Sequence, residues 1–233
     1  MAMDTYIKIN SRDGQFGAYV ARPNAPVAPC VVVLHEIFGI NNDMRQSCKE
    51  LAEHGFLAVC PDLFWRESPG LELNSWSDAE WKKGLELYAA YDFSIGVGDV
   101  EDVVQAVRFQ PGSNGKVGVM GFCLGGLVTF LTAARSEVDA AVEYYGGGTE
   151  RYLAEAHAVE APFLIHLGEE DEYISKLAQR EIEEGFAHMS NVRIVTYPGC
   201  SHAFARHTGS HYDEGAAFEA NGTTYAFFHQ FLG

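Results

Sequence analysis

Two patterns of apolar residues open the chain. Thr5 to Ile9 and Phe16 to Ala21 alternate apolar and polar residues on either side of the turn-forming residues 11–14. This pattern predicts an antiparallel hairpin at the edge of a sheet. Val31 to His35 is apolar at almost every position, which predicts a buried central strand rather than a half-exposed one.

The rest of the chain alternates helices with short apolar strands. Apolar residues recur at helical spacing at 44, 48, 51 and 52, and again at 100, 103, 104 and 107. Further strands are predicted at 56–60, 116–122, 138–145, 163–167 and 192–197, and helices at 44–54, 100–107, 127–134, 173–189 and 214–231. This order predicts an α/β fold with a mostly parallel central sheet and helices on both faces. No linker or repeat divides residues 1–233, so we expect a single domain.

The segment 116–126 combines an apolar strand, a tight turn and the start of a helix, with Cys123 at the tip of the turn. Gly121 and Gly125 flank the cysteine in a Gly-x-Cys-x-Gly pattern. This setting is typical of a nucleophile elbow, which holds its central residue in strained geometry with the side chain above the sheet. The alternative is a buried cysteine in a glycine-rich turn. We interpret Cys123 as a nucleophile.

A cysteine nucleophile needs a base, and the base needs an orienting acid. His202 follows the predicted strand 192–197 in a glycine-led loop, and an acidic run at 169–172 follows the strand 163–167. Nucleophile, acid and histidine in this order are typical of α/β-hydrolases. All four acidic residues of the run are candidates, and the distance past the strand-ending glycine favours Asp171. A metal site formed by His202, His207 and His211 is the alternative, but no helical His-x-x-x-His supports it.

Two backbone amides are expected to stabilise the negative charge that develops on a carbonyl oxygen. The N–H of Leu124 follows the nucleophile at the start of a helix. The second donor is expected in the loop after the first central strand, where Ile37 is the candidate.

Residues 65–98 interrupt the regular alternation and contain one clear helix, which begins at a predicted capping box, Ser77–Glu80. We expect this segment to form a cap over the active-site mouth. The aromatic side chains of Trp76, Trp81 and Tyr88 either line a substrate pocket or pack the helix onto the sheet, and the sequence leaves both interpretations open.

The composition of the chain limits the kinds of binding partner that it could have. The net charge of −16 leaves no basic cluster, which argues against nucleic acid and anionic membrane surfaces as partners. No secretion signal or membrane-length apolar run is present, so we expect a cytoplasmic protein. Five cysteines without Cys-x-x-Cys spacing argue against a disulfide framework or zinc site. We expect no cofactor or metal, a small-molecule lactone or ester as substrate, and a monomer.

Five motifs together resemble the dienelactone hydrolase (carboxymethylenebutenolidase) family over nearly the whole chain. They are His-Glu-Ile-Phe-Gly at 35–39, Cys-Pro-Asp-Leu at 60–63, Ser-Asn-Gly-Lys-Val-Gly at 113–118, Gly-Phe-Cys-Leu-Gly-Gly at 121–126 and Ser-His-Ala-Phe-Ala-Arg at 201–206. The resemblance implies an α/β-hydrolase fold and a Cys123–His202–Asp171 triad. This triad would open an enol lactone that bears a carboxylate, a step in the breakdown of aromatic compounds.

The resemblance also implies further site residues. Glu36 would hold the resting thiol and take its proton when substrate binds. Of the two arginines with which the family binds the substrate carboxylate, one matches Arg206 and the other falls on Trp81, which predicts a less acidic, bulkier or more aromatic substrate. Phe38 and Tyr145 are further candidates for substrate contacts.

Two other functions remain open for the same fold. The chain could be a ligand receptor with an idle triad, or Cys123 could be a redox-sensing thiol. Turnover of an activated ester separates both from a hydrolase, because a receptor binds without consuming its ligand and a sensor reacts with peroxide instead.

Overall fold

The computed structural model describes residues 5–233, which form one sheet surrounded by helices. The strands are β1 (Thr5–Ser11), β2 (Gly14–Ala21), β3 (Ala28–Leu34), β4 (Leu57–Pro61), β5 (Ser113–Phe122), β6 (Ala140–Tyr144), β7 (Phe163–Gly168) and β8 (Val192–Tyr197). The helices are α1 (Asn42–Glu53), α2 (Asp78–Ala90), α3 (Phe93–Arg108), α4 (Leu124–Arg135), α5 (Lys176–Phe186) and α6 (Glu214–Leu232), with a 3-10 helix at Thr149–Ala158.

The strand order is β1-β2-β4-β3-β5-β6-β7-β8. β1 and β2 pair antiparallel in the predicted hairpin, and β2 also runs antiparallel to β4. The remaining neighbours pair parallel. β3 is buried along its whole length, as its uniformly apolar sequence predicts, because helices cover both of its faces. The predicted fold class is therefore confirmed.

Two glycines of β5 show how closely helices cover the two faces of the sheet. A Cβ at Gly118 would lie 2.7 Å from the Phe228 ring of α6, and a Cβ at Gly121 would lie 2.1 Å from the Gly125 carbonyl of α4. Residues 118 and 121 are an odd number of positions apart, so they face opposite sides of the strand. α4 and α6 therefore cover opposite faces, and β5 leads into the turn at Cys123 between them.

Two predicted helix boundaries were wrong. The predicted helix 173–189 begins only at Lys176, because Asp171 and Ser175 instead cap the turn and the helix that follow β7. α3 begins at Phe93, so a helix that packs on the sheet already starts within the predicted cap-like segment 65–98. Every strand at the centre of the sheet was predicted from the sequence. Helix ends are harder to predict, because they depend on capping contacts that a periodic pattern does not contain.

The capping box expected at Ser77 is only half formed. Ser77 Oγ accepts a hydrogen bond from the Glu80 amide at 3.4 Å, as predicted. The Glu80 carboxylate does not return to Ser77; it accepts from the backbone and side-chain nitrogens of Asn74. Glu80 thereby ties α2 to the loop that precedes it, which fixes where the helix begins beside the sheet.

Candidate active site

Cys123 occupies a strained turn between β5 and α4. Its backbone has φ 53° and ψ −112°, a region that residues other than glycine rarely adopt. A Cβ at Gly125 would lie 2.2 Å from the Leu34 carbonyl oxygen, and a Cβ at Gly121 would lie 2.1 Å from the carbonyl of Gly125 itself. Strand and helix therefore approach each other through bare backbone, and this approach lifts the half-buried Cys123 side chain above the end of the sheet.

Asp171 is the acidic residue that reaches the histidine. His202 Nδ1 lies 2.8 Å from Asp171 Oδ2, and both side chains are almost fully buried. The other carboxylate oxygen, Oδ1, accepts hydrogen bonds from the amides of Tyr173 and Ile174 at 2.8 and 2.9 Å. Asp171 is thus fixed by the turn after β7, which orients the imidazole it contacts.

The neighbouring acidic residues serve the loop instead. Glu169 accepts from the amide of Gly199, Glu170 pairs with Lys176, and Glu172 accepts from the His202 amide at 3.1 Å. Two of the four carboxylates, those of Glu169 and Glu172, therefore hold the loops that follow β7 and β8 together, Glu170 binds the start of α5, and Asp171 contacts the ring.

His202 also interacts with Cys123. Burial would lower the pKa of the His202 imidazole, but the charge of Cys123 and hydrogen bonds to Asp171 and Cys123 outweigh burial and raise this pKa from 6.5 to about 10. The imidazole is therefore a cation at neutral pH when it faces a thiolate. Cysteine, histidine and aspartate, which are far apart in sequence, form one connected group.

Two tyrosine rings hold the His202 imidazole from the sides. The centroid of the Tyr145 ring lies 5.1 Å from that of His202, and the Tyr173 centroid lies 4.9 Å from it, both in edge-on arrangements. Tyr145 is fully buried, whereas Tyr173 is more than half exposed. Aromatic contacts of this kind favour one ring orientation, so they support the hydrogen bond to Asp171.

The two candidate oxyanion amides are buried and free to donate. Leu124 is the first residue of α4, and Ile37 lies in the loop after β3. Neither N–H donates a hydrogen bond to another group in the part of the chain from 5 to 233. Buried amides without an acceptor are rare in proteins, so two of them beside one nucleophile are suited to bind a carbonyl oxygen.

A fully buried histidine fixes the loop that contains Ile37. His35 Nε2 accepts from the Leu63 amide at 2.9 Å, and Nδ1 lies 2.6 Å from the Glu36 carbonyl oxygen. Nε2 must carry the lone pair, so the proton is on Nδ1. Burial lowers the pKa of His35, which keeps the ring neutral and preserves both contacts.

Glu36 and Arg206 form a buried ion pair beside the cavity. Arg206 Nε donates to Glu36 Oε2 at 2.5 Å, and the second carboxylate oxygen, Oε1, is buried without a partner. Burial alone would lower the pKa of Arg206, but Glu36 outweighs it and raises this pKa. No hydrogen bond within residues 5–233 joins Glu36 to Cys123. In this arrangement Glu36 is hydrogen-bonded to Arg206 rather than to the thiol.

A cavity of about 190 Å³ opens above Cys123. It contains Trp81 and Arg206, as expected from the sequence, together with Tyr88. The residues that line it are Ile37, Trp81, Leu85, Tyr88, Cys123, Gly147, Gly148, Arg151, Tyr173, His202 and Arg206.

Phe38 and Tyr145, the other candidates for substrate contacts, are not among the residues that line this cavity. Both are fully buried. The Phe38 ring packs against Trp81 at 5.0 Å and under the Arg206 guanidinium at 4.9 Å. Tyr145 packs behind His202. The sequence indicated the right neighbourhood but not the layer, since both residues support cavity residues from behind.

Sequence reasoning missed five lining residues, namely Leu85, Gly147, Gly148, Arg151 and Tyr173. Tyr173 follows Asp171 by two positions, so its place near the histidine was accessible from sequence. Leu85 lies one helical turn beyond Trp81 on α2 and extends the same face. Arg151 belongs to the 3-10 helix, which the pattern of apolar residues in the sequence did not predict.

The histidines considered as metal ligands are each near a different carboxylate. His207 Nε2 lies 3.6 Å from Glu50, and His211 Nδ1 lies 3.3 Å from Glu172. Across residues 5–233, no group of three or more His, Cys, Asp or Glu side chains is arranged to hold a metal ion. No helix in the same range is long and apolar enough to cross a bilayer.

Comparisons with known proteins agree with this geometry. The profile of the Dienelactone hydrolase family matches residues 16–232. The carboxymethylenebutenolidase of Pseudomonas putida is 41% identical over 216 residues, which cover 92% of each chain. Carboxymethylenebutenolidase 1 of Cupriavidus pinatubonensis is 38% identical over 219 residues, 94% of this chain and 93% of its own.

A solved structure supports the fold. The crystal structure of a dienelactone hydrolase-like promiscuous phosphotriesterase from metagenomic libraries superposes with a TM-score of 0.83 at 20% identity and covers 100% of both chains. At this identity the likeness concerns the fold alone.

Proposed function

Because the chain belongs to the dienelactone hydrolase family, we propose that Cys123, His202 and Asp171 cleave an enol lactone or activated ester through an acyl-enzyme. Family membership makes the chain a carboxylic ester hydrolase that acts on lactones. The mechanism is supported above all by His202, which binds Asp171 at 2.8 Å and also interacts with the Cys123 sulfur.

Acylation begins when the Cys123 thiolate attacks the carbonyl carbon. The new C–S bond forms as the carbonyl electron pair moves onto oxygen, and the amides of Ile37 and Leu124 donate hydrogen bonds to the resulting oxyanion. The imidazolium of His202 remains beside the reacting atoms, since Asp171 holds Nδ1 and leaves Nε2 directed towards them.

The leaving group determines whether the adduct goes forward. A thiolate is itself a good leaving group, so the adduct returns to substrate unless the departing oxygen is at least as stable. When the C–O bond of an enol ester breaks, the departing enolate is stabilised by resonance and takes the proton of His202. Amides and simple alkyl esters, with poorer leaving groups, are expected to react slowly.

Deacylation releases the product and restores the thiolate. Neutral His202 accepts a proton from water, whose oxygen attacks the thioester carbon while the same two amides bind the oxyanion. The C–S bond then breaks, the carboxylic acid leaves, and His202 keeps the proton. The reaction needs a reduced thiol, which fits a cytoplasmic location. All five cysteines are free.

Glu36 has a supporting role in this proposal. Its carboxylate is held by Arg206, so the group in contact with the sulfur is His202. The family resemblance implies that Glu36 takes the thiol proton, and its carboxylate oxygen Oε1, which has no partner within residues 5–233, is the atom that would accept it while Arg206 holds Oε2.

Mass spectrometry of the intact protein tests the function. Mixing the wild type with an enol ester is expected to add the mass of one acyl group. Cys123→Ala should abolish this mass increase and reduce turnover at least about a thousandfold. Cys30→Ala is the matched control, because Cys30 is buried away from the cavity, and it should keep both.

The same measurement separates the rival functions. An ester that binds to the wild type but is never consumed would identify a receptor. Peroxide that adds one oxygen to Cys123 in a protein inert towards esters would identify a redox sensor. Either result would overturn the proposal.

A further inference from the structure

Both arginines that line the cavity are already paired with glutamates. Arg206 Nε donates to Glu36 at 2.5 Å, with both side chains almost completely buried. At the rim, Arg151 Nε lies 3.3 Å from the Glu150 carboxylate. Neither pair adds net charge to the cavity. Glu36 uses only Nε of Arg206, and Arg151 is mostly exposed to solvent, so the pairs weaken the attraction for a substrate carboxylate without blocking either guanidinium.

The catalytic group contributes negative charge. Cys123 and His202 are neutral together, whichever of them holds the proton. Asp171 therefore leaves the triad with one net negative charge, and it is buried where water screens it poorly. Glu172 adds a second carboxylate near the mouth, bound to the His202 amide.

The facing wall, formed by α2, is uncharged. Trp81, Leu85 and Tyr88 line the cavity from this helix. The indole N–H of Trp81 is already bonded to the Ser75 carbonyl at 2.6 Å, so the ring presents only its apolar surface. The next residue, Lys82, is exposed to solvent and lies 4.0 Å from Glu86.

We infer that this site selects uncharged, unsaturated lactones and enol esters over substrates that carry a carboxylate, an inference that rests on the proposed hydrolase function. A carboxylate that enters would lose its hydration and meet a net negative charge, because the charge of Arg206 is already balanced by Glu36. An uncharged planar ring would instead pack on the aromatic wall without that loss. The net charge of −16 opposes the approach of anions from a distance as well.

The test compares two lactones that differ by one charge. A five-membered enol lactone with an exocyclic carboxylate is compared with its carboxamide, which has nearly the same shape and is uncharged. We expect kcat/KM of the wild type to be at least about tenfold higher for the carboxamide at low ionic strength. Raising NaCl to about 0.5 M should increase kcat/KM for the carboxylate severalfold and leave the carboxamide nearly unchanged.

Two variants at Trp81 test whether the uncharged α2 wall causes the preference for the uncharged lactone. Trp81→Arg supplies an unpaired cation, and we expect it to reduce or invert the preference. Trp81→Met removes the aromatic ring without adding charge, and it should keep the preference for the uncharged lactone while weakening its binding.

The outcomes are distinct. If the wild type hydrolyses the carboxylate at least as well as the carboxamide, in a Cys123-dependent reaction, the hydrolase function stands and the selectivity is wrong. A preference that Trp81→Arg and Trp81→Met change equally would also overturn the inference, because charge would then not be its cause. If neither lactone nor any activated ester is hydrolysed, both the function and the inference fail.

Discussion

The two sides of the cavity are built differently. On one side, the turn between β5 and α4 is made of backbone in direct contact, since a Cβ at Gly125 would lie 2.2 Å from Leu34. Cys123 is held there with φ 53°. On the other side, only Gly84 and Leu87 of the thirteen residues of α2 are buried, and the helix covers the cavity with half-exposed side chains.

Under the proposed function, we expect this difference to separate the chemistry of the reaction from substrate selectivity. The catalytic side has no room for added atoms, because its geometry depends on contacts between main-chain atoms. The α2 side can exchange side chains without disturbing the sheet, so changes there should alter which substrate is accepted. The predictions below test that division, from the largest expected effect to the smallest.

Gly125→Ala should break the catalytic side. Its Cβ would overlap the Leu34 carbonyl, which cannot move without displacing β3. We expect a loss of about 3 kcal/mol or more in the free energy of unfolding, measured by urea denaturation, and no measurable turnover of an ester.

Gly98→Ala is the matched control, since nothing lies within 4 Å of its Cβ in α3. It should stabilise the protein by about 0.5–1 kcal/mol. Equal stability of the two variants would contradict the close-contact argument.

Asp171→Asn should impair the catalytic side without disturbing its packing. The variant removes the charge that helps to keep His202 protonated and oriented, so we expect kcat to fall at least about a hundredfold. NMR titration of His202 should give a pKa near 10 in the wild type and a lower value in the variant. An unchanged pKa would mean that Asp171 does not support the imidazolium.

The same raised pKa makes stability depend on pH. Because the folded value exceeds the unfolded value of 6.5, the stabilisation is complete below pH 6.5 and is lost as the pH rises through about 10. Cys123→Ala removes the strongest raising influence, so its free energy of unfolding should fall less than that of the wild type between pH 7 and 10.

Gly84→Ala tests the close contact between α2 and the loop that contains Ile37. A Cβ there would lie 2.9 Å from the Ile37 carbonyl oxygen, so either α2 or the Ile37 peptide must shift. We expect kcat to fall about tenfold, because the oxyanion amide belongs to that residue. The unfolding midpoint should change little, since alanine favours the helix. Lys83→Ala, an exposed neighbour on α2, should leave kcat unchanged. If both variants behave alike, α2 does not control the oxyanion loop.

A pair of adjacent tyrosines gives the smallest effect. The Tyr144 hydroxyl contacts Asn221 and Thr224 at 2.9 and 2.7 Å, whereas the Tyr145 hydroxyl is buried without a partner. Tyr144→Phe should cost about 1–2 kcal/mol, because Asn221 loses this partner and Thr224 keeps only His166. Tyr145→Phe should be neutral or slightly stabilising. Thermal unfolding of both variants measures the difference, and a larger loss at Tyr145 would reveal a partner for its hydroxyl.

Local signals carried much of the prediction. The hairpin, the buried strand β3 and the turn at Cys123 each depend on residues within a few positions of one another, so periodicity and glycine placement were sufficient to identify them. The same holds for the position of His202 after β8. Whether Asp171, His202 and Cys123 act together in catalysis remains a proposal, although their proximity follows from strand order.

Long-range packing decided the rest. Glu36 and Arg206 are 170 positions apart, and no pattern along the chain indicates that they neutralise each other. Phe38 and Tyr145 are candidates for substrate contacts from the sequence, and packing between separate elements buries both side chains behind cavity residues.

The sequence by itself determined the order of strands and helices, the elbow at Cys123 and the presence of suitable acids and bases at the ends of strands. Each of these is a property of neighbouring residues, whose allowed backbone angles and alternating apolar faces act locally. Only the tertiary structure decided which carboxylate reaches His202, which charges are cancelled at the cavity wall and which aromatic rings face it. Those outcomes depend on distances between separate elements, because electrostatic and packing energies vary with position in space and not with position along the chain.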